Sequence, residues 1–341
     1  MNKRFQEMDI LRGLAIIAVI IIHITSSTID GAKNESTLNV VVFFNQLSRF
    51  AVPIFLILSG WGLTVSKKYK MGYLSFLKSQ LSKIILYYVS WSVVYYLYTA
   101  ESLSIVAMIK GMIFGTTYFH LYYVPLIIIF YIVYPFIYKY AKLNNFLLAS
   151  FIVTILSQYA AVVTNIEIFN SALNIFNWLF YFVFGIWFAN DFNTKVVIIK
   201  KHTRLLLSLF VVTASIVFAE AYITFDTLGK GVSTTSTRPT VMVLSIIFFM
   251  MIISFEWKNN LFKRAMLKIS KVSYGMYLSH ALILAVFKML WNETGVSSGS
   301  ILYMASALIV VTSTSYFASI LMNNLEETIM STTNRKLLEE Q

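Results

Sequence analysis

The sequence predicts an all-α membrane protein of about ten transmembrane helices, with the N-terminus and the C-terminus both cytoplasmic. Three observations lead there. Of the 341 residues, 58% are hydrophobic and only 12% charged, whereas about a quarter of an ordinary soluble domain is charged. The apolar residues fall into runs of roughly 20, the length a helix needs to cross a hydrocarbon core about 30 Å thick. Lysine and arginine gather in alternate connections, as cytoplasmic loops require.

Taken in order, the runs lie near 10–29, 40–65, 81–99, 120–138, 146–164, 172–189, 205–225, 240–256, 272–291 and 300–322. The first follows Lys3 and Arg4 as a signal peptide would, but Arg12 interrupts it, no convincing small-x-small cleavage site follows and the remaining chain is itself membrane-embedded, so it reads as a retained span. In the second, Pro53 of Arg49-Phe50-Ala51-Val52-Pro53 lacks an N–H and predicts a kink. Ser59-Gly60 further along allows another helix to approach closely. The fourth run opens on His120, the seventh carries Glu220 near its outer end, and the ninth carries His280 and Lys288. Helices are the only reading, because in lipid only helices and closed barrels satisfy every backbone group, and these runs are too long for barrel strands of about 9–11 residues. No internal repeat and no soluble insertion is visible, so residues 1–341 read as one membrane domain.

With the N-terminus inside, 20 of the 27 lysines and arginines fall on the inner side, among them Lys67, Lys68, Lys70, Lys78 and Lys83 in one connection and Lys258, Lys263, Arg264, Lys268 and Lys271 in another. Only Lys33, Lys110, Lys230 and Arg238 fall outside, and Arg12, Arg49 and Lys288 lie at membrane depth. The orientation places the chain across the plasma membrane as a multi-pass protein.

The formal net charge of +12 suggests nucleic acid only where basic residues share one solvated face. Here they sort by side of the bilayer, so no nucleic-acid partner is expected. There is no cysteine, which removes disulfides and thiolate chemistry. The four histidines, His23, His120, His202 and His280, include no HxxxH pair, so no metal site is expected. The ATPase and zinc-protease signatures GxxxxGK[ST] and HExxH are missing.

An ionisable side chain inside a span costs from about 2.5 kcal/mol upward and is a functional hypothesis by default. Arg12 and His23 share the first span eleven residues apart, a spacing that returns to within about 20° of the same face and separates them axially by roughly 16 Å. Arg12 then sits near the cytoplasmic interface, either snorkelling or holding a ligand or ion pair, and His23 in the outer half, either packed or catalytic. A phosphate-bearing ligand with a long thin arm has the length to touch both. Arg49, on the span running back inward, reaches a similar depth and needs an anion or carbonyls because it does not deprotonate. His280 reads equally as structural or functional. His120 is either a solvated or aromatic-packed ring or a substrate contact, and Glu220 has Arg238 as a partner in prospect. Lys288 reads as snorkelling and His202 as part of a basic loop.

The segment Met8-Asp9-Ile10-Leu11-Arg12-Gly13-Leu14-Ala15-Ile16-Ile17, closing with His23, resembles the opening of the membrane-bound acyltransferase family 3. Arg49 to Ser59-Gly60 resembles the second helix of that family, His120-Leu121-Tyr122-Tyr123 with Pro135 its fourth, and Ile269-Ser270 through Ser273-Tyr274-Gly275-Met276-Tyr277-Leu278-Ser279-His280 its ninth. The resemblance runs over essentially the whole chain and is to the standalone members. It implies transfer of an acyl group, usually acetyl, from cytoplasmic acyl-CoA to a hydroxyl of a cell-surface or lipid-linked glycan, with Arg12 and His23 functional. Where the family often carries RxxR, this chain reads Gln80-Leu81-Ser82-Lys83, leaving Lys83 beside Arg12 as the expected contacts of acyl-CoA.

The resulting expectation is an O-acetyltransferase acting on carbohydrate. His23 serves as general base and Arg49 stabilises the oxyanion; His120, His280, Arg238 and Glu220 are held as substrate-binding candidates. No cofactor is expected beyond the acyl-CoA donor, and the partners are that donor, the glycan acceptor and the bilayer. The rival reading is a polytopic exporter of a glycan or small solute, disfavoured by the scarcity of buried carboxylates and of an inverted repeat.

Overall fold

The computed structural model describes residues 5–32, 34–164 and 166–339, the side chains of 228, 230 and 325–339 excepted. Lys3, Arg4 and Lys33, counted above in the charge distribution, lie outside the described residues, as do the side chains of Lys230, Arg335 and Lys336.

Among the described residues the regular structure is all helical. In chain order the helices are α1 (Gln6–Gly31), α2 (Glu35–Leu47), α3 (Ala51–Ser66), α4 (Tyr73–Leu81), α5 (Ile85–Thr99), α6 (Ile105–Phe114), α7 (Tyr123–Ile137), α8 (Asn144–Val163), α9 (Glu167–Asn170), α10 (Leu179–Ala189), α11 (Phe192–Lys200), α12 (Thr203–Ser233), α13 (Pro239–Ser254), α14 (Leu261–Asn292) and α15 (Ile301–Glu339). Each of the ten apolar runs falls on one or two of these. Six segments are long and apolar enough to cross a membrane: Gln6–Gly31, Glu35–Ser66, Asn144–Val163, Thr203–Thr227, Leu261–Asn292 and Ile301–Asn324. A seventh follows if α10 and α11, bent by 98°, form one span. The helices α5 and α7 have 15 residues each and by themselves reach about 22 Å, at 1.5 Å per residue.

The chain packs as two compact units, Met1–Val41 with Lys258–Gln341, and Val42–Trp257. In the first, α1, α14 and α15 pack on one another. Helix α1 is mostly buried, whereas α15 turns Ile309 and Phe317 outward at 71% and 66% exposure, as a helix bordering lipid would. Gly13 makes the contact of α1 with α14 close: a Cβ there would stand 2.6 Å from the Met266 carbonyl oxygen. Small residues substitute here for the hydrophobic drive that lipid removes. Asn260 starts α14, its Oδ1 accepting from the Lys263 N–H at 2.9 Å, an N-cap that satisfies one of the orphan donors of a helix start.

The second unit is organised around the crossing of α3 and α10. Its contact point is the Gly60 expected from the sequence, facing Gly185: a Cβ on Gly60 would come to 2.2 Å from the Phe182 oxygen, and one on Gly185 to 2.1 Å from the Ile57 oxygen. Around them Phe182, Phe130 and Tyr134 fill the interior. Asp191, at φ 56°, turns the chain sharply between α10 and α11. The Lys195 ammonium then caps the end of α10 by donating to the Trp187 and Asn190 carbonyls and lies 3.8 Å from the centre of the Trp187 ring. Burial holds the Lys195 pKa below the ordinary lysine value, with Asp191 opposing the shift.

The kink expected at Pro53 appears as a break. The helix stops at Leu47 and resumes at Ala51, with tighter turns in which the Arg49 N–H bonds the Gln46 oxygen at 3.1 Å and the Ala51 N–H the Ser48 oxygen at 3.1 Å. Pro53 has no N–H to return to the Arg49 carbonyl, so the regular ladder cannot pass this point. Arg49 is thereby carried on the break instead of on a helix face.

Candidate active site

In the first unit, α1 is one uninterrupted helix from Gln6 to Gly31, so Arg12 and His23 do share a stripe. Arg12 Nη1 donates to Asp9 Oδ1 at 3.0 Å, an i,i+3 ion pair that remains 35% exposed on the arginine side. Asp9 Oδ1 also accepts from Ser270 Oγ of α14 at 3.4 Å. Such a pair is worth little in water-exposed settings, and it leaves the guanidinium accessible while fixing its direction.

Further along α1, His23 is half-buried and stacks on His280 of α14, with ring centroids 5.2 Å apart and planes inclined by 29°. His280 is fully buried. Its Nδ1 lies 2.7 Å from the Tyr277 oxygen and 3.1 Å from the Met276 oxygen. Only an N–H suits two carbonyl oxygens, so Nδ1 carries the proton and the neutral ring keeps its lone pair on Nε2. The buried imidazole is thus locked in orientation and tautomer, and it presents a fixed face to the more accessible His23. The stacked contact therefore braces the orientation of the His23 ring.

The second unit holds the other predicted residues. Arg49 donates through Nε and Nη2 to Asn45 Oδ1 at 2.9 and 2.6 Å, and among the described residues no carboxylate pairs with it. Arg238, only 4% exposed, meets Glu220 Oε2 at 3.3 Å, the ion pair expected from the sequence. It also donates through Nη2 to Gln46 Oε1. Glu220 further accepts from the Thr240 hydroxyl. Gln46 Nε2 in turn donates to Asn45 Oδ1 at 3.0 Å, so an unbroken polar chain runs from Glu220 to Arg49. One carboxylate, Glu220, thus stands at the Arg238 end of a chain that links two guanidiniums.

Arg49 and Tyr122 open onto a cavity of about 340 Å³, walled also by Asn170, Asn177, Trp178 and Thr237. The Asn177 wall is fixed from behind: its Oδ1 accepts from Ser157 at 2.7 Å, its Nδ2 donates to the Phe169 oxygen at 2.9 Å, and its own carbonyl accepts from Gln158 at 3.0 Å.

His120 is buried to 2% exposure with its ring against the edges and faces of Tyr95, Tyr118 and Phe119 at 5.1–5.8 Å, which is the aromatic-packed arrangement. Lys83 is exposed beside Lys68, whose ammonium donates to Ser79 Oγ at 3.1 Å. With Lys67 and Lys70 alongside, this connection presents several positive charges and no acid of its own.

The structure therefore joins His23 with His280, and Arg238 with Glu220. Sequence reasoning missed Asp9, Asn45, Gln46 and Tyr122. Asp9 carried a signal, standing three residues before Arg12 on one continuous helix, and Tyr122 lies within the His120–Tyr123 segment quoted above; Asn45 and Gln46 carried none, because the helix breaks before Arg49.

A family model described as an acyltransferase domain, acyltransferase 3, matches residues 5–320 and so runs through both packing units. No curated protein and no solved structure gives a match.

Proposed function

Because the chain belongs to this family of membrane acyltransferases, we propose that it transfers an acyl group, acetyl in the first instance, from cytoplasmic acyl-CoA to a hydroxyl of a cell-surface or lipid-linked glycan. The reading sets the chain in the plasma membrane with ten spans and both ends inside. In it α5, α7, α10 and α13 supply the four spans beyond the six long ones.

The observation that carries the proposal is the Arg12–His23 stripe backed by His280. Acyl-CoA combines anionic phosphates with a pantetheine arm long enough to cover the roughly 16 Å between the two residues. Arg12 takes a phosphate as a charge-assisted bidentate donor, and the lysines around Lys83 add positive potential. His23 accepts the proton of the acceptor hydroxyl as its oxygen attacks the thioester carbonyl. Collapse of the tetrahedral adduct breaks the carbon–sulfur bond, and the histidinium returns its proton to the departing CoA thiolate. His280, its tautomer fixed by two carbonyls, holds the His23 ring in place. In the second unit, Arg49 and its cavity are assigned to binding the acceptor.

The test is purified chain in vesicles given labelled acetyl-CoA and glycan acceptors. Acylated glycan with stoichiometric release of free CoA is expected; glycan movement across the vesicle wall with acetyl-CoA left intact would replace the enzyme by an exporter.

A further inference from the structure

We infer that the acceptor carries a negative charge of its own, a carboxylate or phosphate group on the sugar, bound by Arg49 in the cavity of the second unit. This rests on the acceptor reading of that cavity given above.

The charges are unevenly matched. Arg238 is buried and holds the carboxylate of Glu220 and the amide oxygen of Gln46, although its Nε and Nη1 make no hydrogen bond among the described residues. Arg49 has only the neutral Asn45 oxygen, which takes Nε and Nη2, and Nη1 has no hydrogen-bond partner among the described residues. One carboxylate thus serves two linked guanidiniums, and it sits on the one away from the cavity wall. A positive charge held at low dielectric without an acid is costly, and a bound anion supplies the missing partner. Arginine presents a planar fork that matches carboxylate and phosphate oxygens.

The remaining walls fit a sugar. Tyr122 lies beside Arg49, Asn170 and Thr237 line the wall with an amide and a hydroxyl, and Asn177 is a rigid part of it. At about 340 Å³ the cavity falls at the small end of ligand pockets, which span about 300–1,000 Å³. It holds one or two sugar units, not a polymer.

The experiment uses the full chain in lipid nanodiscs and measures binding of methyl glucuronide, glucose 1-phosphate and neutral methyl glucoside, then acyl transfer to the corresponding oligosaccharides. At least ten-fold tighter binding of a charged sugar than of the glucoside is expected, as a charge-assisted pair would give. The carboxylate and phosphate arms identify which anion is preferred. R49Q is expected to abolish the preference, and R49K to keep it at several-fold lower strength because the fork is lost. Equal binding of charged and neutral sugars, or a preference that persists in folded R49Q, overturns the inference. If R49Q does not fold, an undiminished preference in R49K does the same. Charged-sugar binding that depends on Arg49 without any acyl transfer would refute the enzyme reading and leave the anion site standing. Transfer to neutral and charged acceptors at equal rates would do the reverse.

Discussion

His23 and His280 stack at 5.2 Å between ring centroids although they lie on helices from opposite ends of the chain. One ring is buried with its Nδ1 proton pinned, and the other is accessible. The buried ring therefore gives His23 a rigid face to lie against.

From that pair follows the first expectation. His23→Ala, inserted and folded, loses roughly 10²–10⁴-fold in acyl transfer, as removal of a general base does, while acyl-CoA affinity changes far less. His23→Gln is expected to fare no better, because an amide hydrogen-bonds but takes no proton. Rates of transfer and equilibrium acyl-CoA binding on the same purified variants decide it; full acylation by well-folded His23→Gln would dismiss the general base.

Arg12→Ala is expected to weaken acyl-CoA binding by the worth of one charge-assisted hydrogen bond, about 1.5–3 kcal/mol. Arg12→Lys restores part of it. Because Asp9 competes for the same guanidinium at 3.0 Å, Asp9→Asn is expected to leave affinity intact or improve it. Calorimetry with CoA and acetyl-CoA measures both, and an unchanged dissociation constant for Arg12→Ala would confine Arg12 to its contact with Asp9.

Topology is open to a clean measurement, since the chain has no cysteine to mask an introduced one. Single cysteines at Lys230 and Glu293 are expected to react with an impermeant maleimide in intact cells, and those at Lys200 and Arg264 only after lysis. Labelling at position 200 or 264 in intact cells would reverse the orientation.

The crossing of α3 and α10 has no room for a side chain at Gly185. Gly185→Val is expected to cost about 1–3 kcal/mol or more through overpacking, read as a lower thermal midpoint in detergent. Gly62→Ala on the same helix as Gly60 meets no atom within 4 Å and serves as the control; equal midpoints for both would mean the crossing gives way easily.

These expectations differ in how far the sequence alone carried them. The Arg12–His23 stripe was legible because both lie on one helix, where 3.6 residues per turn fixes the geometry. Glu220 with Arg238 was legible because they flank a single connection. The partnership of His23 with His280 was not, because no local period links residues so distant in sequence. Pro53 announced a disturbance of the second run but not its form; the tight turns at Ser48–Phe50 depend on what Arg49, Asn45 and Gln46 can bond there. The two amides gave no signal of their own, since asparagine and glutamine near a membrane boundary have many ordinary uses.

Those amides have a direction. Arg238 at one end and Arg49 at the other both require oxygen, so Gln46 turns Oε1 to the first and Asn45 turns Oδ1 to the second, with the Gln46 NH₂ donating between them. Asn45 is not among the cavity walls, yet Asn45→Asp would lay a full negative charge against Arg49 with almost no change of volume. The appetite of the cavity for charge is therefore separable from its shape, and selection or engineering can reset the one while leaving the other untouched.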